Sequence, residues 1–149
     1  MNKNLAITSL LGAVTIIFGA FGAHSLQETL SAVELKSFET AVRYQLYHVI
    51  VLLFVNSYAK FSTKDKNIIS YLFFTGVLFF SGSIYAITFG INAKNIWFIT
   101  PLGGLIFIVG WIKMAISKAV SPSTQAFLIY SGAESLSMTT TTEVLPPHF

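Results

Sequence analysis

Apolar residues in this chain gather into four long runs with polar residues held between them, rather than alternating along it. Residues 4–23 carry no charge. Residues 44–59 carry one ionisable side chain, His48, in a stretch that extends as a helix to residue 61. Residues 67–93 are uncharged, of which 68–89 suffice for a helix, and the uncharged stretch 95–112 predicts a helix over 96–116. A membrane-crossing helix needs roughly 20 mainly apolar residues, and each run meets that need. Lipid offers backbone N–H and C=O groups no partner, so only helices or closed barrels can span it. Barrel strands alternate apolar and polar side chains, and these runs do not. The predicted fold class is all-α, an integral membrane four-helix bundle.

The long connection is residues 25–40. Ser31 followed by Glu34 reads as a capping box that starts a helix. Leu30, Val33, Leu35, Phe38 and Val42 form an apolar stripe beside Glu28, Glu34, Lys36 and Glu39. This predicts a short interfacial amphipathic helix between helices one and two. A solvated loop is the alternative, because short windows support only ambiguous periods. Beyond Lys118 the prolines and the threonine run at 139–142 cannot build a packed core. The expected organisation is a transmembrane domain over 1–118 and a disordered tail over 119–149 that stands outside the natural domain.

Composition sharpens the picture. Of 149 residues, 54% are hydrophobic and 10% charged, where a soluble domain carries about 25% charged residues. The absence of cysteine excludes disulfides, thiolate metal sites and thiol nucleophiles. A net charge of +3 does not signal nucleic acid, because the lysines and arginine sit at the ends of apolar runs instead of on one wet face. They set topology instead. Lys3, Lys60, Lys64, Lys66, Lys113 and Lys118 fall on one side and Lys36, Arg43 and Lys94 on the other, which predicts a multi-pass membrane protein with both termini cytoplasmic. Lys3 and the small residues at 19–23 also resemble a secretory signal, but the first run is longer than a signal core.

Polar groups inside a membrane are costly, so their placement carries the functional clue. Alternating helix directions bring His24, Arg43, Tyr44, Gln45, His48, Ser81, Ser83, Tyr85 and Thr100 into the outer half, on four helices. These nine are the candidate ligand-binding residues, with His48 expected to face the interior near Ser81 or Tyr85. The inner half offers mainly Thr8, Ser9, Asn56, Ser57 and Ser70. Each hydroxyl has a bland alternative as interhelical packing glue, and Tyr44 and Tyr85 as aromatic-belt residues. His24 can serve as an interfacial cap on helix one. Gly12 and Gly19, and again Gly103 and Gly110, are spaced seven apart, stripes that let helix backbones approach closely.

Several stretches together resemble the domain of unknown function 423 family of small membrane proteins, which is related to transmembrane protein 256. They are Gly19-Ala20-Phe21-Gly22-Ala23-His24, Tyr44-Gln45 with His48, Phe80-Ser81-Gly82-Ser83-Ile84-Tyr85, Thr100-Pro101-Leu102-Gly103-Gly104 and Gly110-Trp111. The resemblance covers roughly residues 5–118. It implies a four-helix inner-membrane protein and supplies no activity.

Three functions remain open on the residues. One is a binding module whose outer pocket holds a quinone, lipid headgroup, haem or ion. The second is an oligomeric transporter or proton pathway through His48. The third is an accessory subunit of a membrane complex. An enzyme is disfavoured, because the spans lack carboxylates and show no nucleophile–base–acid set. No His/Glu spacing supports a metal site, and the cofactor is unassigned. The partners expected are the lipid bilayer, a second copy through the Gly12, Gly19, Gly103 and Gly110 faces, and another membrane protein, with no nucleic acid.

Overall fold

A computed structural model describes residues 3–119. Five helices follow in order: α1 (Lys3–Ala23), α2 (Ala32–Ser57), α3 (Thr63–Thr88), the single turn α4 (Ala93–Ile96) and α5 (Ile99–Ala119). The described residues contain no strand. Four stretches are long and apolar enough to cross a membrane, with α4 and most of α5 counting as one. The chain divides into two units, residues 1–114 and 115–149, and the packed core belongs to the first. The tail expected over 119–149 lies, apart from Ala119, outside the described residues.

Contacts between helices run in opposite order along the two partners, so neighbours in sequence are antiparallel. Gly12, Gly19 and Gly22 of α1 face Val49, Val42 and Phe38 of α2. Ala41 and Asn56 of α2 bond Ser81 and Ser70 of α3. Gly76, Gly103 and Gly110 bring α3 and α5 together through Phe107, Phe80 and Phe73. The four glycines of the two seven-residue stripes are thus each met by a neighbouring helix of the same chain.

The buried core has two parts. Leu52, Val55, Phe61, Ile69, Phe73, Val77 and Phe107 form one, and Phe38, Ala41 and Tyr85 form the other near the 24–31 turn. Large apolar side chains such as Leu10, Ile16, Tyr71, Leu78 and Ile108 stay exposed on the outside, the surface lipid would cover.

Two helix starts differ from expectation. Ser31 does cap a helix, its hydroxyl accepting from the Glu34 N–H while the Glu34 carboxylate accepts from the Ser31 N–H. That helix then continues without a break to Ser57, so the stripe from Val33 to Val42 is the first part of the second span and no separate interfacial helix precedes it. Helix α3 starts at Thr63, five residues before expectation, because Ser62 caps it by accepting from the Asp65 N–H at 3.0 Å. Pro101 sits in the first turn of α5, where its missing N–H has no intrahelical partner to lose.

Candidate functional site

Gln45 lies at the centre of a polar bridge across three helices. Its Nε2 donates to the Thr15 hydroxyl of α1 at 2.8 Å and lies 3.5 Å from the Leu11 carbonyl. Its Oε1 accepts from the Tyr85 hydroxyl of α3 at 3.1 Å. All three side chains are buried. The Tyr85 ring is packed edge-on against Phe18 at 4.6 Å and beside Phe38 at 5.1 Å. Thr15 is not among the residues that the sequence singles out. It shares the small-residue face of Gly12 and Gly19, and Thr8 lies seven residues before it, a signal that points to it.

His48 faces the interior as expected, only 5% exposed, but its neighbours are not Ser81 and Tyr85. Its ring stacks on Phe107 of α5 at 3.5 Å and 6°, with Phe73 at 5.2 Å and Trp111 at 6.3 Å. Nδ1 lies 2.7 Å from the Tyr44 carbonyl, which can only accept, so Nδ1 carries the hydrogen and Nε2 is left as the ring's acceptor. Nε2 is buried and has no hydrogen-bond partner among the described residues. Along the continuous α2, His48 stands roughly 24 Å from Ala32 and roughly 14 Å from Ser57 at 1.5 Å per residue, in the second half of the helix.

The other candidates divide into interior and perimeter. The Ser81 hydroxyl donates to the Ala41 carbonyl at 2.8 Å, and the hydroxyls of Ser83 and Thr100 share a bond of 2.6 Å that ties α3 to α5. His24, Arg43 and Tyr44 are exposed. Tyr44 lies beside Phe80 at 4.9 Å, and Arg43 reaches the Thr40 hydroxyl at 3.5 Å. The nine candidates therefore occupy several separate contacts instead of one cluster.

A groove of about 490 Å³ runs between α1 and α3. Leu11, Val14, Phe18, Phe74 and Val77 make it apolar, and Gln45 and Tyr85 stand toward its Phe18 end. Gly82 forms part of its wall, where an added Cβ would come no closer than 3.8 Å to Leu78 Cδ1. At the opposite end, below Ile7, Tyr71 and Phe74, opens a second cavity of about 560 Å³. Its polar wall includes Lys3, Asn4, Asn56, Thr63, Lys66 and Asn67. Among the described residues no group of His, Asp and Glu is placed to hold a metal ion.

Comparison with known proteins agrees with the fold. The model of a family described as "Protein of unknown function (DUF423)" matches residues 18–104. A UPF0382 membrane protein of Haemophilus influenzae is 37% identical over 122 residues, which is 82% of this chain and 98% of that protein. A UPF0382 membrane protein of Staphylococcus saprophyticus is 40% identical over 72% of this chain and 92% of its own length. The UPF0382 inner membrane protein YgdD of Escherichia coli K12 is 32% identical over 75% of this chain and 86% of its own length. No solved structure matches the chain.

Proposed function

The chain belongs to the DUF423 family of membrane proteins, and we propose that within the inner membrane it is a lipid-binding module, with both termini cytoplasmic. The observation that carries this reading is the α1–α3 groove, apolar along its length and ended by a polar bridge. Its volume of about 490 Å³ falls in the range of small-molecule sites, roughly 300–1,000 Å³. Mainly apolar walls with a few fixed polar groups are the usual composition of such sites. Thr15 and Tyr85 hold the Gln45 amide from both ends, so it is positioned before any ligand arrives. From Tyr71 to Tyr85 the groove follows α3 for roughly 21 Å, more than one leaflet's share of the roughly 30 Å hydrocarbon core. A ligand with a long apolar chain fits these walls better than a compact polar one.

Native mass spectrometry of protein gently extracted with its lipids tests the reading. The wild type should retain one lipid-like molecule per chain. Gly82→Leu should lose it, because the new side chain enters the groove while its Cβ meets only ordinary contacts. Equal retention by Gly82→Leu would overturn the assignment of the groove.

A further inference from the structure

The inner end of the bundle is plain in sequence, yet the larger of the two cavities lies there. Two ammonium groups, Lys3 of α1 and Lys66 of α3, line it, and among the described residues no carboxylate does. The Asp65 carboxylate is engaged elsewhere, bonded to Lys113 of α5 at 2.6 Å. Of the cavity's amides, that of Asn67 is set as a donor. Asn4 Nδ2 donates to Asn67 Oδ1 at 2.8 Å, which leaves Asn67 Nδ2 as a donor. Lys66 Nζ is anchored at 3.1 Å on the Asn56 carbonyl, which uses one of its three hydrogens. Ile7, Tyr71 and Phe74 line both this cavity and the apolar groove, so the two adjoin.

We propose that the inner cavity binds the phosphate of an anionic phospholipid through Lys3, Lys66 and Asn67, with one acyl chain lying in the α1–α3 groove. The proposal deepens the reading of the groove as a lipid site and rests on it. The charge selects the occupant: ammonium and amide donors with no carboxylate suit a phosphate and disfavour a cation. A zwitterionic lipid would bring its own ammonium group against Lys3 and Lys66. The depth fits as well, since Lys3 and Thr63 of its wall are the first residues of α1 and α3, at the end of the spans, where basic residues flank the membrane core. A phosphate held there can send its chain straight into the groove, towards Gln45 and Tyr85.

The test is a native mass spectrometry titration of the full chain with dioleoylphosphatidylglycerol, dioleoylphosphatidylcholine and glycerol 3-phosphate. The anionic lipid should bind at least tenfold more tightly than the zwitterionic one. Each lysine near anionic lipid contributes about fivefold, so Lys3→Gln and Lys66→Gln should each weaken it about that much, and together roughly 25-fold. Lys64→Gln, outside the cavity, should change nothing. Lys66→Gln removes a bond to the protein, so its thermal midpoint is checked; Lys3→Gln, at the exposed rim, tests the proposal without it. Equal binding of the two lipids, or no loss in the double variant, would overturn the headgroup site. Glycerol 3-phosphate bound as tightly as the lipid would overturn the lipid in favour of a free phosphate. If Gly82→Leu weakens both lipids while the lysine variants weaken neither, the groove stands and the headgroup site falls. If the lysine variants alone have an effect, the headgroup site stands and the groove reading falls.

Discussion

Gly103→Ala should break the contact between α3 and α5, whereas Gly104→Ala next to it should not. A Cβ at Gly103 would lie 2.8 Å from Phe80 Cα and 2.9 Å from the Phe79 carbonyl carbon, with the Phe80 nitrogen closer still. Carbon pairs are at their optimum at about 3.5–4.0 Å, so the helices would have to part by about 1 Å. These are backbone atoms, and no rotamer change can move them aside. Parting also loosens Phe107 from Gly76 and Phe73 from Gly110, where the approach is equally close. Overpacking costs about 1–3 kcal/mol, and a contact fixed by backbone belongs at the upper end. The gain in helix propensity from Gly to Ala returns at most about 1 kcal/mol. The net loss expected is about 2 kcal/mol. At Gly104 the added Cβ would lie 4.0 Å from Phe80 Cδ2, an ordinary contact, so only the gain of up to about 1 kcal/mol remains. The neighbours should thus differ by about 3 kcal/mol, more than a hundredfold in the folding equilibrium. Reversible unfolding by SDS titration, followed through the fluorescence of Trp111 against Phe73, measures the difference. If Gly103→Ala proves as stable as Gly104→Ala, α5 does not pack on α3 through this glycine.

A double-mutant cycle of Gln45→Leu and Tyr85→Phe should give a coupling energy of about 0.6–1.7 kcal/mol, the range for hydrogen bonds between membrane helices. A coupling of zero means that the bridge does not form. His48→Leu should leave stability within about 1 kcal/mol of wild type, because loss of the bond to the Tyr44 carbonyl is offset by removal of the buried, unpartnered Nε2. A loss above about 2 kcal/mol would mean that Nε2 has a partner in the membrane. Alkaline phosphatase fused after Lys94 should be active and after Lys64 inactive, following the six-to-three basic asymmetry. The reverse result inverts the topology.

The four spans are legible in the sequence because roughly 20 uncharged residues in a row have few other solutions in a folded chain. Helix ends are harder. Ser31-x-x-Glu34 and Ser62-x-x-Asp65 have the same chemistry, but the second lies among Lys60, Lys64 and Lys66, where charge alone suggests a loop. The first is recognisable, yet the polar residues after it suggest a break that α2 does not make. The polar stripe of α2 is legible as an inward face, but its division is not. Gln45 and His48 are three residues apart, which at 100° per residue turns their side chains about 60° from each other. That is enough to send Gln45 between α1 and α3 and His48 between α3 and α5. Which neighbour fills each gap depends on how three helices lean together, and no periodicity within one helix contains that. Thr15 is marked in the sequence by its place on the Gly12 and Gly19 face, but its role arises only when Gln45 reaches it from another helix.

This division also bears on what the polar residues can do together. A proton path needs exchangeable groups within hydrogen-bonding reach of one another along its length. His48 bonds the Tyr44 carbonyl, a backbone group that passes no proton onward, and its ring lies among those of Phe73, Phe107 and Trp111. The Thr15–Gln45–Tyr85 bridge runs across the bundle instead of along it. Ser81 bonds another backbone carbonyl, and Ser83 and Thr100 bond each other. These hydrogen bonds fasten side chains to near neighbours, an arrangement that fixes them and does not link them in series. Fixed polar groups at the end of an apolar groove are preorganised for recognition, since little ordering remains when a ligand binds. The inner cavity keeps donors on Lys3, Lys66 and Asn67 for a new partner, and it adjoins the groove's other end. The wiring of a single chain therefore suits holding a lipid better than conducting a proton.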